Sequence, residues 1–146
     1  MERRIFVKTC CYGAIGLPIL ATSLQSCGAN YYATLTKDMN RLVIKKSEFQ
    51  RIKKDKVINR DFVLVKTANM EFPICLYKTG NDQYSASLLH CTHKGCELNV
   101  GGGIYTCPCH GSEFSIRGKV LEGPADRDLM TFKTETDNEH IYILQA

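Results

Sequence analysis

The sequence lacks the features that mark several common classes of protein. It has no strong excess of charge, since 19 Lys and Arg against 15 Asp and Glu give a formal net charge of +4, which is too small to indicate a nucleic-acid partner. It has no apolar run of about 20 residues that would form a comfortable transmembrane helix. From Arg41 onward, no segment keeps helical periodicity over three turns. With 44% hydrophobic and 23% charged residues, it is instead typical of one globular domain.

The N-terminal segment has the pattern of a bacterial export signal. Residues 2–8, Glu-Arg-Arg-Ile-Phe-Val-Lys, resemble a twin-arginine motif. The apolar stretch over 9–24 is interrupted by glycine and proline, and it fits the hydrophobic region of a signal peptide. Leu24-Gln25-Ser26-Cys27 then resembles a lipobox, in which Cys27 receives a lipid. We predict a lipoprotein signal over 1–27, with an uncleaved membrane anchor as the alternative. Either one tethers the domain to a bacterial membrane, facing the periplasm or the exterior.

The rest of the chain is predicted to be all-β. Residues 28–40 are interpreted as a tether, and 41–146 as the domain. The basic stretch over 45–60 is interpreted as the solvated face of two strands rather than as a patch for an acidic partner. Short β-rich runs separated by turn-forming residues recur about every ten positions, which indicates a small antiparallel barrel or sandwich. These runs are Leu42–Ile44, Phe62–Val65, Ile74–Tyr77, Tyr84–Leu89, Ile104–Thr106, Lys119–Leu121, Met130–Lys133 and His140–Leu144.

Two cysteines and two histidines in two short segments form a candidate metal site: Cys91, His93, Cys107 and His110. Such a set can hold a zinc ion, or a 2Fe–2S cluster in which two histidines replace two cysteines on one iron. Each segment also carries one more cysteine, Cys96 or Cys109, which a zinc site does not explain. Ser112 follows the last ligand closely, and its hydroxyl could donate a hydrogen bond to a bridging sulfide. These features favour the cluster over zinc.

The two segments resemble the signature boxes of the Rieske iron–sulfur family. Cys91-Thr92-His93-Lys94-Gly95-Cys96 and Cys107-Pro108-Cys109-His110-Gly111-Ser112-Glu113-Phe114 match its disulfide-containing branch, which includes cytochrome bc and b6f Rieske subunits and the small subunit of arsenite oxidase. The resemblance implies a 2Fe–2S cluster on the four candidate ligands at the tip of an all-β fold, and a Cys96–Cys109 disulfide. Gly123-Pro124-Ala125 resembles the third loop that covers the cluster. High-potential members carry a Tyr where this chain has Phe114, which implies a lower potential here.

The resemblance implies one-electron transfer by a membrane-tethered subunit of a respiratory oxidoreductase, with no catalytic site of its own. The oxidoreductase would be a quinol-oxidising complex or a molybdenum oxidase, with quinol and a cytochrome as candidate partners and no nucleic acid. The alternative is a stand-alone redox-sensing or metal-binding lipoprotein. A Rieske oxygenase needs a further iron held by two histidines and a carboxylate, whereas only His90 and His140 remain. Cytoplasmic Rieske ferredoxins resemble the chain less, because they lack the extra cysteine pair and an export signal.

Overall fold

The computed structural model describes residues 30–145, which form short strands joined by turns and one 3-10 helix. The export signal predicted over 1–27, with Cys27, lies outside the described residues. The elements are β1 (Leu35–Asp38), β2 (Arg41–Lys45), η1 (Lys46–Phe49), β3 (Gln50–Lys53), β4 (Lys56–Asn59), β5 (Phe62–Val65), β6 (Ile74–Gly80), β7 (Gln83–Leu88), β8 (Asn99–Gly101), β9 (Ile104–Thr106), β10 (Glu113–Ser115), β11 (Val120–Glu122), β12 (Thr131–Phe132), β13 (Thr134–Thr136) and β14 (His140–Leu144). The predicted all-β class is confirmed.

Three antiparallel four-stranded sheets form the domain. The middle sheet has the order β12-β7-β6-β5, and the outer sheets have the orders β1-β2-β14-β13 and β11-β10-β9-β8. Val63 and Val65 of β5 belong to one hydrophobic core, whereas Leu64 between them belongs to a second core with Tyr105 and Phe114. Successive side chains of a strand point to opposite faces. The middle sheet is therefore buried on both faces, between two separate cores.

The outer sheet β11-β10-β9-β8 is built from one continuous stretch of chain. β7 ends at Leu88 and β12 begins at Thr131, and these two strands are neighbours in the middle sheet, with Thr131 paired to Ser87. The backbone N–H of Leu88 also donates to the carbonyl of Met130 at 2.8 Å. Residues 89–130 thus leave the middle sheet at one strand and return to the strand beside it.

The start of the described chain differs from the prediction. The sequence predicts a tether over 28–40, but residues 35–38 form β1, which pairs with β2 along its whole length. Ala33 is buried in the first core, and its N–H donates to the carbonyl of Leu64 at 2.8 Å. β1 is an edge strand with mostly exposed polar side chains. It therefore lacks the apolar alternation by which a strand is recognised in a sequence.

The basic stretch over 45–60 contains a separate hairpin formed by β3 and β4. All residues of both strands are exposed, which agrees with the predicted solvated face. The hairpin leads directly into β5 of the middle sheet. Between residues 30 and 145, the structure has no helix with the length and apolar character required to cross a membrane.

Candidate metal centre

Two loops meet at one end of the β8–β11 sheet. The first loop, residues 89–98, runs into β8, and the second loop, residues 107–112, connects β9 to β10. Asn99 at the start of β8 pairs with Thr106 at the end of β9. Both loops therefore lie at the same end of this sheet. The antiparallel pairing of β8 with β9 brings the two signature segments together, although they are separate in the sequence.

The two loops repeat one hydrogen-bond pattern, counted from their first cysteine. The N–H of Cys91 donates to the carbonyl of Cys96 at 2.9 Å, and the carbonyl of Cys91 accepts from the N–H of Gly95 at 2.9 Å. The same two bonds start from Cys107 in the second loop, with lengths of 2.8 and 3.0 Å. Gly95 and Gly111 occupy the equivalent position with φ values of +79° and +77°, where glycine is favoured. The turn presents the first cysteine of each loop inward.

The four predicted ligands lie together between these loops. The thiols of Cys91 and Cys107 are free and buried, and they are close enough for the Cys91 thiol to affect the pKa of Cys107. The rings of His93 and His110 lie edge to face, with centroids 4.8 Å apart. His93 is partly buried and His110 is exposed. The structure therefore arranges two inner thiols and two outer imidazoles at one tip of the domain.

The chemistry of these donors fits an iron–sulfur cluster. The Nδ1 atom of His93 is buried and has no hydrogen-bond partner, and a buried polar atom without a partner is costly unless something binds it. Burial raises the pKa of Cys107, but hydrogen bonds from the backbone N–H groups of Cys109 and His110 and from the Cys91 thiol bring its pKa below the usual value. The thiolate is the form that binds metal. A free nitrogen and adjacent thiols are thus available for ligation.

A disulfide between Cys96 and Cys109 joins the two loops, and its Cα atoms are 6.5 Å apart. It confirms the bond that the family resemblance implies. The sulfur atoms of Cys96, Cys107 and Cys109 all lie within 4.8 Å of one another. Since two of these sulfurs are bonded to each other, the group is a disulfide lying against the Cys107 thiol rather than a three-cysteine metal site.

A third loop, residues 123–128, is fastened to both of the others. The N–H of Ala125 donates to the hydroxyl oxygen of Ser112 at 3.0 Å, and both residues are buried. The Thr92 hydroxyl donates to the carbonyl of Arg127 at 2.6 Å. Only the Gly-Pro-Ala resemblance pointed to this loop. Its partners were missed, because contacts between residues 13 and 35 positions apart leave no local pattern in the sequence.

Beneath the loops lies the second hydrophobic core. Phe114 is fully buried there and pairs across the sheet with Tyr105, which is also fully buried. The Tyr105 hydroxyl donates to the carbonyl of Ile116 at 3.2 Å. Burial raises the pKa of the Cys75 thiol to about 12, against a smaller lowering by a hydrogen bond with Tyr105. The core beneath the site is therefore apolar, and Cys75 within it is an uncharged thiol at neutral pH.

Comparisons with known proteins agree with this arrangement. A sequence model of the family described as "Rieske [2Fe-2S] domain" matches residues 42–133. The cytochrome b6-f complex iron-sulfur subunit of Synechococcus sp. (strain JA-2-3B'a(2-13)) is 43% identical over 53 residues, which are 35% of this chain and 31% of that protein. The corresponding subunit of Prochlorococcus marinus (strain MIT 9211) is 39% identical over 57 residues, 38% of this chain and 32% of that protein.

A solved structure is similar over a larger share of its own length. The crystal structure of the cyanobacterial plasma membrane Rieske protein PetC3 from Synechocystis PCC 6803 has 40% sequence identity and a TM-score of 0.51. The alignment covers 57% of this chain and 85% of that one. By contrast, the match spans about a third of the length of the curated b6-f subunits, 31% and 32% in the two examples above.

Proposed function

The chain belongs to the Rieske [2Fe-2S] domain family, whose match spans residues 42–133, and we propose that it is a one-electron carrier. A 2Fe–2S cluster is the cofactor of that domain. In our proposal its ligands are Cys91, His93, Cys107 and His110. The observation that carries the proposal is the convergence of two buried free thiols with two imidazoles, one of which has a buried Nδ1 atom without a partner.

When bound, the cluster supplies a one-electron couple whose potential is raised by imidazole ligation to about −150 to +300 mV, from about −400 mV for all-cysteine ferredoxins. The residues of this chain bind it and control its surroundings. The buried side chains of Cys91 and Cys107 would bind it on the side away from solvent, where their burial excludes water. The more exposed imidazoles of His93 and His110 form the surface through which a partner would be reached. A neutral imidazole nitrogen there can accept a hydrogen bond from a quinol.

Ser112 has a positioning part in this proposal. Its oxygen accepts a hydrogen bond from the N–H of Ala125, so its own proton remains available to donate. A donation to a bridging sulfide would stabilise the more negative, reduced state. The bond to Ala125 at the same time holds the third loop against the second. The disulfide between Cys96 and Cys109 holds the first loop to the second.

We further propose that the chain is exported and works as a membrane-tethered subunit of a respiratory oxidoreductase. The named relatives are subunits of cytochrome b6-f complexes and a plasma membrane Rieske protein, which supports a membrane-associated electron-transfer partner. The twin-arginine-like segment and the lipobox at Cys27 support the tether and an orientation towards the periplasm or exterior. The partner would be a quinol-oxidising complex or a molybdenum oxidase.

Electron paramagnetic resonance of the purified full chain tests the cluster and its range of potential. We expect a rhombic Rieske-type signal after reduction with ascorbate, as required for quinol-linked transfer. A signal only after dithionite would keep the cluster but refute the quinol-oxidising role. No signal with either reductant, together with one equivalent of bound zinc, would refute electron transfer itself.

The ligand set is tested by matched substitutions. His110→Gln and Cys91→Ser should abolish the Rieske signal and the bound iron. His140→Gln and Cys75→Ala are the controls, since His140 lies on β14 and Cys75 lies in the core beneath the loops. Both controls should keep iron and signal. A full iron content in Cys91→Ser would show that this cysteine is not a ligand.

A further inference from the structure

The β3–β4 hairpin concentrates the positive charge of the chain. All residues of its two strands are exposed. Between positions 50 and 60 there are five basic side chains and one acidic side chain, Asp55, which gives a net charge of five minus one, or +4. This equals the formal net charge of the whole chain, +4. The hairpin therefore carries the excess positive charge, and the positive and negative charges of the rest of the chain are equal in number.

These charges are not neutralised within the described domain. Lys53 and Lys56 lie directly opposite each other at the end of the hairpin, and like charges at such positions destabilise a strand pair. Lys54, in the turn, has a φ of +49°, which is uncommon for a residue with a side chain. Among the ion pairs formed by residues 30–145, none includes these lysines or Arg51. An anionic partner would relieve the repulsion.

The hairpin also exposes two large apolar side chains. Ile52 and Val57 are paired across the strands and are 79% and 62% exposed. Since side chains alternate along a strand, this pair lies on the face opposite Lys53 and Lys56. A two-stranded ribbon is thin, and a lysine can bury its aliphatic stem while its ammonium group stays in a polar layer. A ribbon with apolar side chains on one face and basic side chains on the other has the amphipathic character of elements that lie in a membrane interface.

The start of the described chain is fixed to the base of this hairpin. The guanidinium carbon of Arg60 lies 3.8 Å from the centroid of the Tyr31 ring, and Arg60 donates to the carbonyl of Gln50 at 2.5 Å. The Tyr31 hydroxyl donates to the Glu48 carboxylate at 2.6 Å. Asn30 and Tyr31 line a groove of about 420 Å³ together with residues of β3 and β4. Any attachment through the preceding residues thus begins beside the hairpin.

The hairpin and the metal centre lie at opposite ends of the middle sheet. β5 begins at Phe62, just after the hairpin, and ends at Val65, which pairs with Ile74 at the start of β6. The preceding residue, Pro73, accepts a hydrogen bond from the N–H of Leu89 in the first loop at 2.9 Å. A surface that meets the hairpin therefore faces the end of the domain remote from the ligands.

We propose that the β3–β4 hairpin docks on an anionic lipid surface, with Ile52 and Val57 among the headgroups and the lysines on lipid phosphates. In this docked state the metal centre faces away from the membrane, towards a partner in the aqueous phase. The docked state therefore suits the molybdenum oxidase of the proposed function, and transfer from a membrane quinol would require the hairpin to leave the bilayer. This inference rests on the membrane tether of the proposed function. Cys27 lies three residues before Asn30, so its α-carbon is within about 11 Å of that of Asn30. A lipid on Cys27 would bring the hairpin base to the bilayer.

The absence of tryptophan from the sequence makes a direct test simple, because Val57→Trp introduces a single reporter at an exposed position. The full chain carrying this change is reconstituted into vesicles of phosphatidylcholine alone or of equal parts phosphatidylcholine and phosphatidylglycerol. We expect the tryptophan emission to shift to shorter wavelength only on the anionic vesicles, with quenching by brominated lipid. Leu121→Trp, at a 56% exposed position in the β8–β11 sheet, is the matched control and should show neither change.

Substitution of the lysines tests the electrostatic part. Each basic side chain near an anionic surface is worth roughly a fivefold change in binding, so Lys53→Gln with Lys56→Gln should lower the docking equilibrium constant about 25-fold. High salt should weaken docking as well, since it screens these charges. An unchanged constant in the double variant would refute the role of the lysines.

The outcomes distinguish docking through the hairpin from attachment through the N-terminal tether. Flotation with the neutral vesicles reports attachment through the N-terminal segment. Loss of flotation there, with the emission shift retained on anionic vesicles, would count against the tether and support the hairpin. Flotation with both vesicles but no shift on the anionic ones would overturn the hairpin proposal and leave the tether intact. A shift of the tryptophan emission on addition of polyglutamate, with no shift on anionic vesicles, would also overturn the hairpin proposal, in favour of an acidic protein partner.

Discussion

The disulfide between Cys96 and Cys109 is expected to contribute a large part of the free energy of unfolding of the domain. It joins two loops whose residues are 13 positions apart, and it does so next to the buried Cys107 thiol. We consider the double substitution Cys96→Ser with Cys109→Ser. Both positions are at least partly exposed, so a serine hydroxyl can be solvated there and no large cavity is left.

The magnitude follows from the length of the closed loop. In the chain-entropy description, a disulfide that closes about 13 residues removes enough freedom from the unfolded chain to stabilise the fold by about 3 kcal/mol. A small domain has a total free energy of unfolding of about 5–15 kcal/mol, so this is a large share. With a urea dependence of about 1–3 kcal/mol per molar, the unfolding midpoint should fall by about 1–3 M.

The assay is equilibrium urea unfolding of the cluster-free chain, followed by far-ultraviolet circular dichroism. A reducing agent provides the control, because it should lower the midpoint of the wild-type chain and leave that of the double variant unchanged. Equal midpoints for the oxidised wild-type chain and the double variant would refute the reasoning. They would mean that the three loops are held by their hydrogen bonds and by the core alone.

Three further results are expected. Phe114→Tyr should raise the midpoint potential in an EPR-monitored redox titration by about 20–60 mV, the equivalent of one new hydrogen bond to a ligand sulfur, and an unchanged potential would contradict this explanation. Hydrogen bonds from the Tyr142 hydroxyl and two backbone N–H groups lower the pKa of Asp137, so its stabilisation is present above about pH 4 and is lost as the pH falls. Asp137→Asn should therefore flatten the loss of urea stability between about pH 5 and pH 2, and parallel curves would argue against it. Cys75, with its pKa raised to about 12 by burial, should resist iodoacetamide at pH 8 until urea is added, as peptide mass spectrometry would show. Alkylation of the native chain at this site would contradict its burial.

The strands that pack on both faces were the easiest part of the fold to predict. Phe62–Val65 and Ile74–Tyr77 are continuous apolar runs, and each became a strand of the middle sheet. β1 was missed, because an edge strand of exposed polar residues leaves no periodic pattern. Its place depends on pairing with β2 and on the burial of Ala33, and both are tertiary effects.

The candidate site likewise has features that the sequence predicted and features that it could not predict. The two signature segments predicted the disulfide and the family, since their residues are close in sequence and specific in spacing. The contacts of Thr92 with Arg127 and of Ser112 with Ala125 could not be predicted, since each depends on how the third loop folds back over the other two. The free Nδ1 atom of His93 is likewise a property of the packed loop and not of the motif.

The excursion of residues 89–130 between β7 and β12 has a consequence for how such a chain can change. Both ends of the excursion are fixed by the pairing of β12 with β7 in the middle sheet, so residues 89–130 form one continuous insertion between two neighbouring strands. Insertions at its exposed loop tips should leave the strand order of the middle sheet unaltered. The proposed ligands lie within this insertion, and the basic hairpin lies outside it. The residues proposed to set the redox potential and those proposed to dock on lipid are therefore encoded in separate stretches of the gene, so that substitutions in one set need not alter the other.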